Sequence, residues 1–294
     1  MARSRSEPTT RVSPLALALL TVGVATSIAA EPDTATTLAF SRHSQPIARL
    51  SLAELEQLTP RQAIEVHEPY EDGPARFAAL SLERVLDAVY TPSWRSEEEL
   101  LFSCLDGYQP TVPVARALTH RAWLALDRLD RPGFSIRKRE SGAIREIELA
   151  PFYLIWQNLE DAKIRQEADY GWPYQLVGVD LIRRRDRFPR MTPPPGASDE
   201  VLAGFAAFRI HCSKCHPLNG EGGRIGPELN HAASPALHRD PAWLRDWIED
   251  PSRILPNARM PALNPKLPDR ARTVDEILAY LRAMANASNA PEPH

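Results

Sequence analysis

Apolar positions follow two rhythms along this chain, and the change between them falls in its last third. From Thr37 to Arg187, short extended runs alternate with short helical stretches. Leu38–Phe40 and Pro46–Leu50 predict the two strands of a hairpin, and Ser51-Leu52-Ala53-Glu54 predicts a capping box opening a short helix. Ser81 begins a second helix with Leu82, Val85, Leu86 and Val89 on one face. Leu100–Leu105 is apolar enough for a buried strand. Phe134–Arg139 and Ala143–Leu149 flank a turn at Glu140-Ser141-Gly142, and Leu176–Ile182 reads as a final strand. This mixture predicts an α+β domain. Phe188–Ala197 contains Pro193-Pro194-Pro195-Gly196, which sustains neither helix nor central strand and predicts a semi-rigid linker. Beyond it the pattern is helical.

The first thirty residues stand apart. Arg3, Arg5 and Arg11 form a basic region, Leu15–Leu20 and the small apolar residues after them a hydrophobic one, and Ser27-Ile28-Ala29 suits a signal peptidase. Cleavage is expected near Ala29 or Ala30, with periplasmic delivery. The stretch is short for a spanning helix, and only an uncleaved signal would bring a membrane contact. The arginines are not adjacent, which points to export of an unfolded chain. The expected division is a signal peptide over 1–30, an α+β domain over 31–187, a linker over 188–197, a helical domain over 198–288 and a tail over 289–294.

Composition narrows the partners. Hydrophobic residues make up 43% of the 294, enough for a sizeable core, and a formal net charge of -3 gives no reason to expect nucleic acid. Three cysteines, Cys104, Cys212 and Cys215, offer no disulfide framework. The run Arg183-Arg184-Arg185-Asp186-Arg187 reads as solvated surface, with docking of an acidic partner as the other reading.

Two of the cysteines carry the chemistry. Cys212-Ser213-Lys214-Cys215-His216 has the C-x-x-C-H spacing of covalent haem attachment. Thiols at i and i+3 point the same way and can each add to one vinyl group, while the histidine that follows falls beneath the iron. A redox dithiol is the competing reading, but it needs a βαβ context, and the flanks here are helical.

Ser198–Ala287 resembles a class I c-type cytochrome domain. Gly204, Phe208 and Cys212 recur every four residues on one helix face, and a last helix over about Thr273–Met284 offers Ile277, Leu278, Tyr280 and Leu281. The resemblance implies one covalent haem c held by Cys212 and Cys215, with His216 as an axial iron ligand and the Pro227 carbonyl accepting from its Nδ1–H. It also implies that Gly220, Gly222, Gly223 and Gly226 let the backbone pass close to the haem. Met260, in Ile254-Leu255-Pro256-Asn257-Ala258-Arg259-Met260-Pro261, resembles the family's methionine ligand; His231, His238 and Met284 are its rivals. Met191 lies in the linker, and His211 adjoins Cys212 too closely to reach across the iron. Trp243 and Trp247 sit one helical turn apart and suit the wall of a haem pocket or plain core. Lys214 and Arg224 suit a charged haem edge or plain solvated surface.

Asp106-Gly107-Tyr108, Val112-Pro113-Val114, Leu124-Ala125-Leu126-Asp127 and the run Pro173–Leu181 resemble the sulfite-oxidase-type molybdopterin fold over roughly Thr37–Arg187. That family's metal-ligand cysteine lies upstream of the turn, where this chain has none; Cys104 abuts the turn and reads as a small buried hydrophobe. The resemblances imply a sulfite-oxidase-like α+β domain with a mixed sheet, without its cofactor, followed by an all-α class I cytochrome c domain. The expected function is single-electron transfer between redox partner proteins of the cell envelope, with the N-terminal domain as a docking module. A fused molybdopterin oxidoreductase with a haem outlet, and a haem-based sensor or assembly factor, are the alternatives.

Overall fold

The computed structural model describes residues 36–140, 143–161, 164–165, 171–230 and 234–288. The predicted signal peptide, the tail over 289–294, the Ser141-Gly142 turn and His231 lie outside the described residues.

The alternating runs pair as their patterns require. Strands β1 (Thr37–Arg42) and β2 (Gln45–Ser51) form the first hairpin, and Ser51 caps α1 (Leu52–Leu58) in a reciprocal capping box with Glu54. Strands β3 (Gln62–Glu68) and β4 (Gly73–Ser81) follow, and Ser81 caps α2 (Leu82–Tyr90). After these come β5 (Glu99–Cys104), β6 (Thr111–Pro113), α3 (Val114–Thr119), β7 (Ala122–Arg128), β8 (Ser135–Glu140), β9 (Ala143–Glu148), β10 (Tyr153–Trp156) and β11 (Leu176–Ile182).

The strands build three sheets. One is ordered β2-β1-β11-β5-β6, the second β10-β7-β4-β3, and β8 pairs with β9 alone. The first is mixed, because β1 runs parallel to β11 while its other pairs are antiparallel. Leu38, Phe40, Phe77, Leu80, Leu100, Phe102 and Trp156 meet in a fully buried core. Helix α2 buries Leu82, Val85, Leu86 and Tyr90. The Tyr90 hydroxyl lies 2.8 Å from the Ser41 carbonyl and 2.9 Å from that of Val179, which ties α2 across the parallel strand pair.

One buried charge network pins the edge of the second sheet. Arg128 is 2% exposed at its side chain and grips the Glu71 carboxylate with two bonds of 2.7 and 3.0 Å. Glu71 also accepts from Arg131 at 2.6 Å and from the Arg137 amide at 2.6 Å. Burial opposes ionisation of Glu71, but these bonds and the Arg128 and Arg131 charges outweigh it and hold its carboxyl below the usual range. A depressed carboxyl pKa adds stability above the unfolded value, near 4.3, that is lost as pH falls through the folded value. Glu71→Gln is therefore expected to lower stability by about 1.5–3 kcal/mol at pH 7. Urea titrations at descending pH should show the gap between variant and parent closing in acid.

After β11 come α4 (Arg184–Arg187), α5 (Asp199–His211), α6 (Pro235–His238), α7 (Pro241–Glu249), α8 (Pro251–Ile254) and α9 (Arg270–Ser288). Proline opens α6, α7 and α8 at the first turn, where its missing N–H loses no helical bond. The expected succession of an α+β domain and an all-α class I cytochrome c domain is not what forms. The described chain is a mixed α/β fold with three sheets, and its C-terminal region holds one long helix, the 19-residue α9, among shorter helices and loops. Leu218 and Glu221 add an isolated β-bridge there. The physical reason is twofold. Gly220–Pro227 and the prolines from 251 to 268 interrupt helix formation. The helices also share a core with the first sheet, where Leu101 and Ile182 pack in one cluster with Phe188, Met191, Phe208 and Tyr280. The described residues accordingly fall in one compact unit.

Candidate functional site

Helix α5 delivers the C-x-x-C-H segment. Ser198 caps its start, and at its end the Cys212 amide still bonds the Phe208 carbonyl. The chain then turns tightly: the amides of Cys215 and His216 both bond the Cys212 carbonyl, at 3.0 and 2.9 Å. Gly204 sets the tilt of α5. A methyl group there would overlap the Glu276 carbonyl and crowd Tyr280, so only glycine lets α5 cross α9 this closely. Tyr280 is fully buried at the crossing against Phe205 and Phe208, and its hydroxyl donates to the Met191 carbonyl at 2.6 Å.

The glycine-rich loop folds back over the turn. The Gly223 amide bonds Ser213 O at 2.8 Å, and the Gly226 amide bonds Cys215 O at 2.9 Å. Gly226 lies against the His216 ring, where a methyl group would overlap the imidazole. His216 Nδ1 is 2.9 Å from the Pro227 carbonyl. A carbonyl only accepts, so Nδ1 carries the proton and Nε2 keeps its lone pair for a metal.

That imidazole faces a cavity of about 470 Å³ lined by Cys212, Cys215, His216, Trp243, Trp247 and Met260, with Ile277, Leu278 and Leu281 of α9 behind them. The volume suits a cofactor, since such sites span about 300–1,000 Å³. Trp243 and Trp247 stack at 5.2 Å on the wall supplied by α7. Met260 packs beside Leu244, Ile248 and Leu278. Among the described residues, His216 and Met260 are the histidine and the methionine that line the cavity. His238 is exposed on α6, and Met284 and Met191 are buried in the core beside Phe208.

Two half-buried thiols, an imidazole with a free lone pair, a thioether and an apolar, aromatic wall form a donor set that fits a haem. Burial pushes the Cys212 thiol up to about 12 and that of Cys215 upward. A redox dithiol needs the opposite shift, towards a reactive thiolate.

Cys104 is elsewhere. It is 7% exposed in the core of the sheets, and burial, then the charge of Asp106, raises its pKa. No three His, Cys, Asp or Glu side chains form a metal-binding group among the described residues. No described helix is long and apolar enough to cross a membrane.

The sequence did not place two features of this region. The Asp106-Gly107-Tyr108 turn lies against the C-x-x-C-H segment: Gln109 N bonds Lys214 O at 2.9 Å, and Arg224 N bonds Gly107 O at 2.9 Å. Gly107 adopts φ +88°, and the Asp106 carboxylate accepts from the Tyr108 amide. Arg184, within the basic run expected to be solvated, is 6% exposed. It bonds Glu99 of β5, which also receives Arg209 of α5. No protein-family model matches this chain, and no curated protein does.

Proposed function

We propose that this chain carries one covalently attached haem c and passes single electrons between redox partner proteins of the cell envelope. The observation that carries the reading is the convergence of Cys212, Cys215, His216 and Met260 on one apolar cavity. A bound haem would supply reversible one-electron chemistry at its iron. Cys212 and Cys215 would fix it through thioethers, and His216 Nε2 and Met260 Sδ would be the axial ligands.

The chain's own groups do the tuning. The Pro227 carbonyl holds the His216 proton at Nδ1, fixes the ring's orientation and leaves Nε2 for the iron. Trp243, Trp247, Leu278 and Leu281 give the cavity an apolar wall. A thioether ligand favours the reduced state and raises the potential. An iron held by both His216 and Met260 would serve electron transfer rather than substrate binding, which suits a carrier. The sheets, bonded to the attachment segment through Gly107 and Gln109, would be the docking module. Residues 1–30 would direct export, which suits haem attachment on the periplasmic side.

The test is expression with the haem-attachment machinery. Haem that stays with the denatured chain, one iron per chain and no molybdenum are expected. A chain that matures without covalent haem refutes the reading. Met260→Ala tests the sixth ligand: the reduced parent should not bind carbon monoxide, whereas the variant should bind it and show a lower potential. An unchanged spectrum in the variant would remove Met260 from that role.

A further inference from the structure

A second cavity, of about 200 Å³, opens at the seam between β5–β6 and α5. We propose that it binds a small tetrahedral oxyanion of the phosphate or sulfate class. Its lining includes Glu99, Tyr108, Thr111, Arg184, Arg209 and Lys214.

Among the described residues, the cations that line the cavity outnumber its one carboxylate, Glu99. Arg184 holds Glu99 through Nε at 3.0 Å and Nη2 at 2.6 Å, and Arg209 reaches the same carboxylate through Nη2 at 2.6 Å. Two guanidiniums thus share one carboxylate that is 3% exposed. Arg116 and Lys214 add two further cations to the lining, Lys214 with no ion pair among the described residues. Glu98 is exposed and accepts from the Arg184 amide. Arg184 is itself more than nine-tenths buried. Burial, and then the Arg184 charge, disfavours the Arg209 cation.

Donors are left over as well. Arg184 and Arg209 each keep an Nη1 group that bonds nothing among the described residues. The Tyr108 hydroxyl likewise has no partner among them, and it borders the cavity near Gly171. Guanidinium N–H pairs, a phenol O–H and an ammonium suit an anion with several acceptor oxygens, because planar arginine forks match oxyanion geometry. The available room is several times the share of one water, which is about 30 Å³, and it is too small for a nucleotide-sized ligand.

The site does not depend on the haem, so its test stands apart from that of the proposed function. Inorganic phosphate should be titrated calorimetrically into the full chain, in buffer matched for ionic strength with chloride. One saturable site per chain is expected, with a dissociation constant of about 1 mM or tighter. Arg209→Gln should weaken binding at least about tenfold, the equivalent of losing a charge-assisted bond. Tyr108→Phe removes one hydroxyl without disturbing the Glu99 pairing, and should weaken binding about threefold. No saturable heat in the parent, or binding equal to the parent's in a folded Tyr108→Phe and a folded Arg209→Gln, would overturn the proposal.

Discussion

A chain in which Cys212 and Cys215 are both alanine is expected to retain no haem after denaturation. Each thiol can form one thioether, so removing both removes every covalent link, whatever the axial ligands do. The two side chains line the same cavity and follow one another on a single turn, closed by the amides of Cys215 and His216 on the Cys212 carbonyl. Alanine keeps that turn, since its bonds are all backbone. The sheets should therefore still form, and far-UV circular dichroism should change little. Stability should fall, because the contacts and iron ligation of the haem form only in the folded chain, and a cavity of about 470 Å³ without its occupant loses contacts on every wall. Haem staining on a denaturing gel, set beside a pyridine haemochrome assay, measures the effect. Single variants should keep reduced but detectable haem. Equal staining in parent and double variant would mean that these cysteines are not the attachment points.

Much of the architecture was legible because local rules and tertiary packing agree. The hairpin of Thr37–Ser51, the Ser51–Glu54 capping box, the Ser81 cap and the Leu176–Ile182 strand each carry their instruction within a few residues. The second sheet was less legible. Strands β3 and β4 present Glu65 and Arg76 on exposed positions and His67 on a half-buried one, and β7 finds its place only by pairing with β4 and β10. The all-α expectation failed for a different reason. Helical pattern around Cys212 and Tyr280 says which residues face inward, but not what they face, and here Leu101 and Ile182 of the first sheet complete their core.

The candidate site divides along the same line. Cys212, Cys215 and His216 are contiguous, so spacing alone groups them. Met260 lies far along the chain and reaches the cavity only through the path of α7 and α8. Arg184 and Arg209 were opaque: a basic run and a lone helix arginine look solvated until Glu99, on a strand that is otherwise apolar, brings them together. A carboxylate opening an apolar strand, Glu99 before Leu100-Leu101-Phe102, was the one signal available.

Glu99→Ala is expected to lower stability by about 3–5 kcal/mol, the range for removing one partner of a buried ion pair. The size follows from what stays behind. Arg184 has a side chain 8% exposed and would lose both of its carboxylate bonds, keeping only Thr111. Arg209 would lose its sole ion-pair partner among the described residues. Glu99→Gln should cost less, since it keeps an acceptor while removing the charge. Urea denaturation followed by both circular dichroism and tryptophan fluorescence measures the loss. It also tests how the chain is joined, because Glu99 belongs to the first sheet and Arg209 to the helix that carries the attachment cysteines. With Leu101, Ile182, Phe208 and Tyr280 in a common cluster, the two probes should report one transition in the parent and one, earlier, in the variant. A loss under about 1 kcal/mol would place Glu99 among ordinary surface pairs, and separate transitions in the parent would mean that the sheets and the attachment helix fold independently despite the shared core.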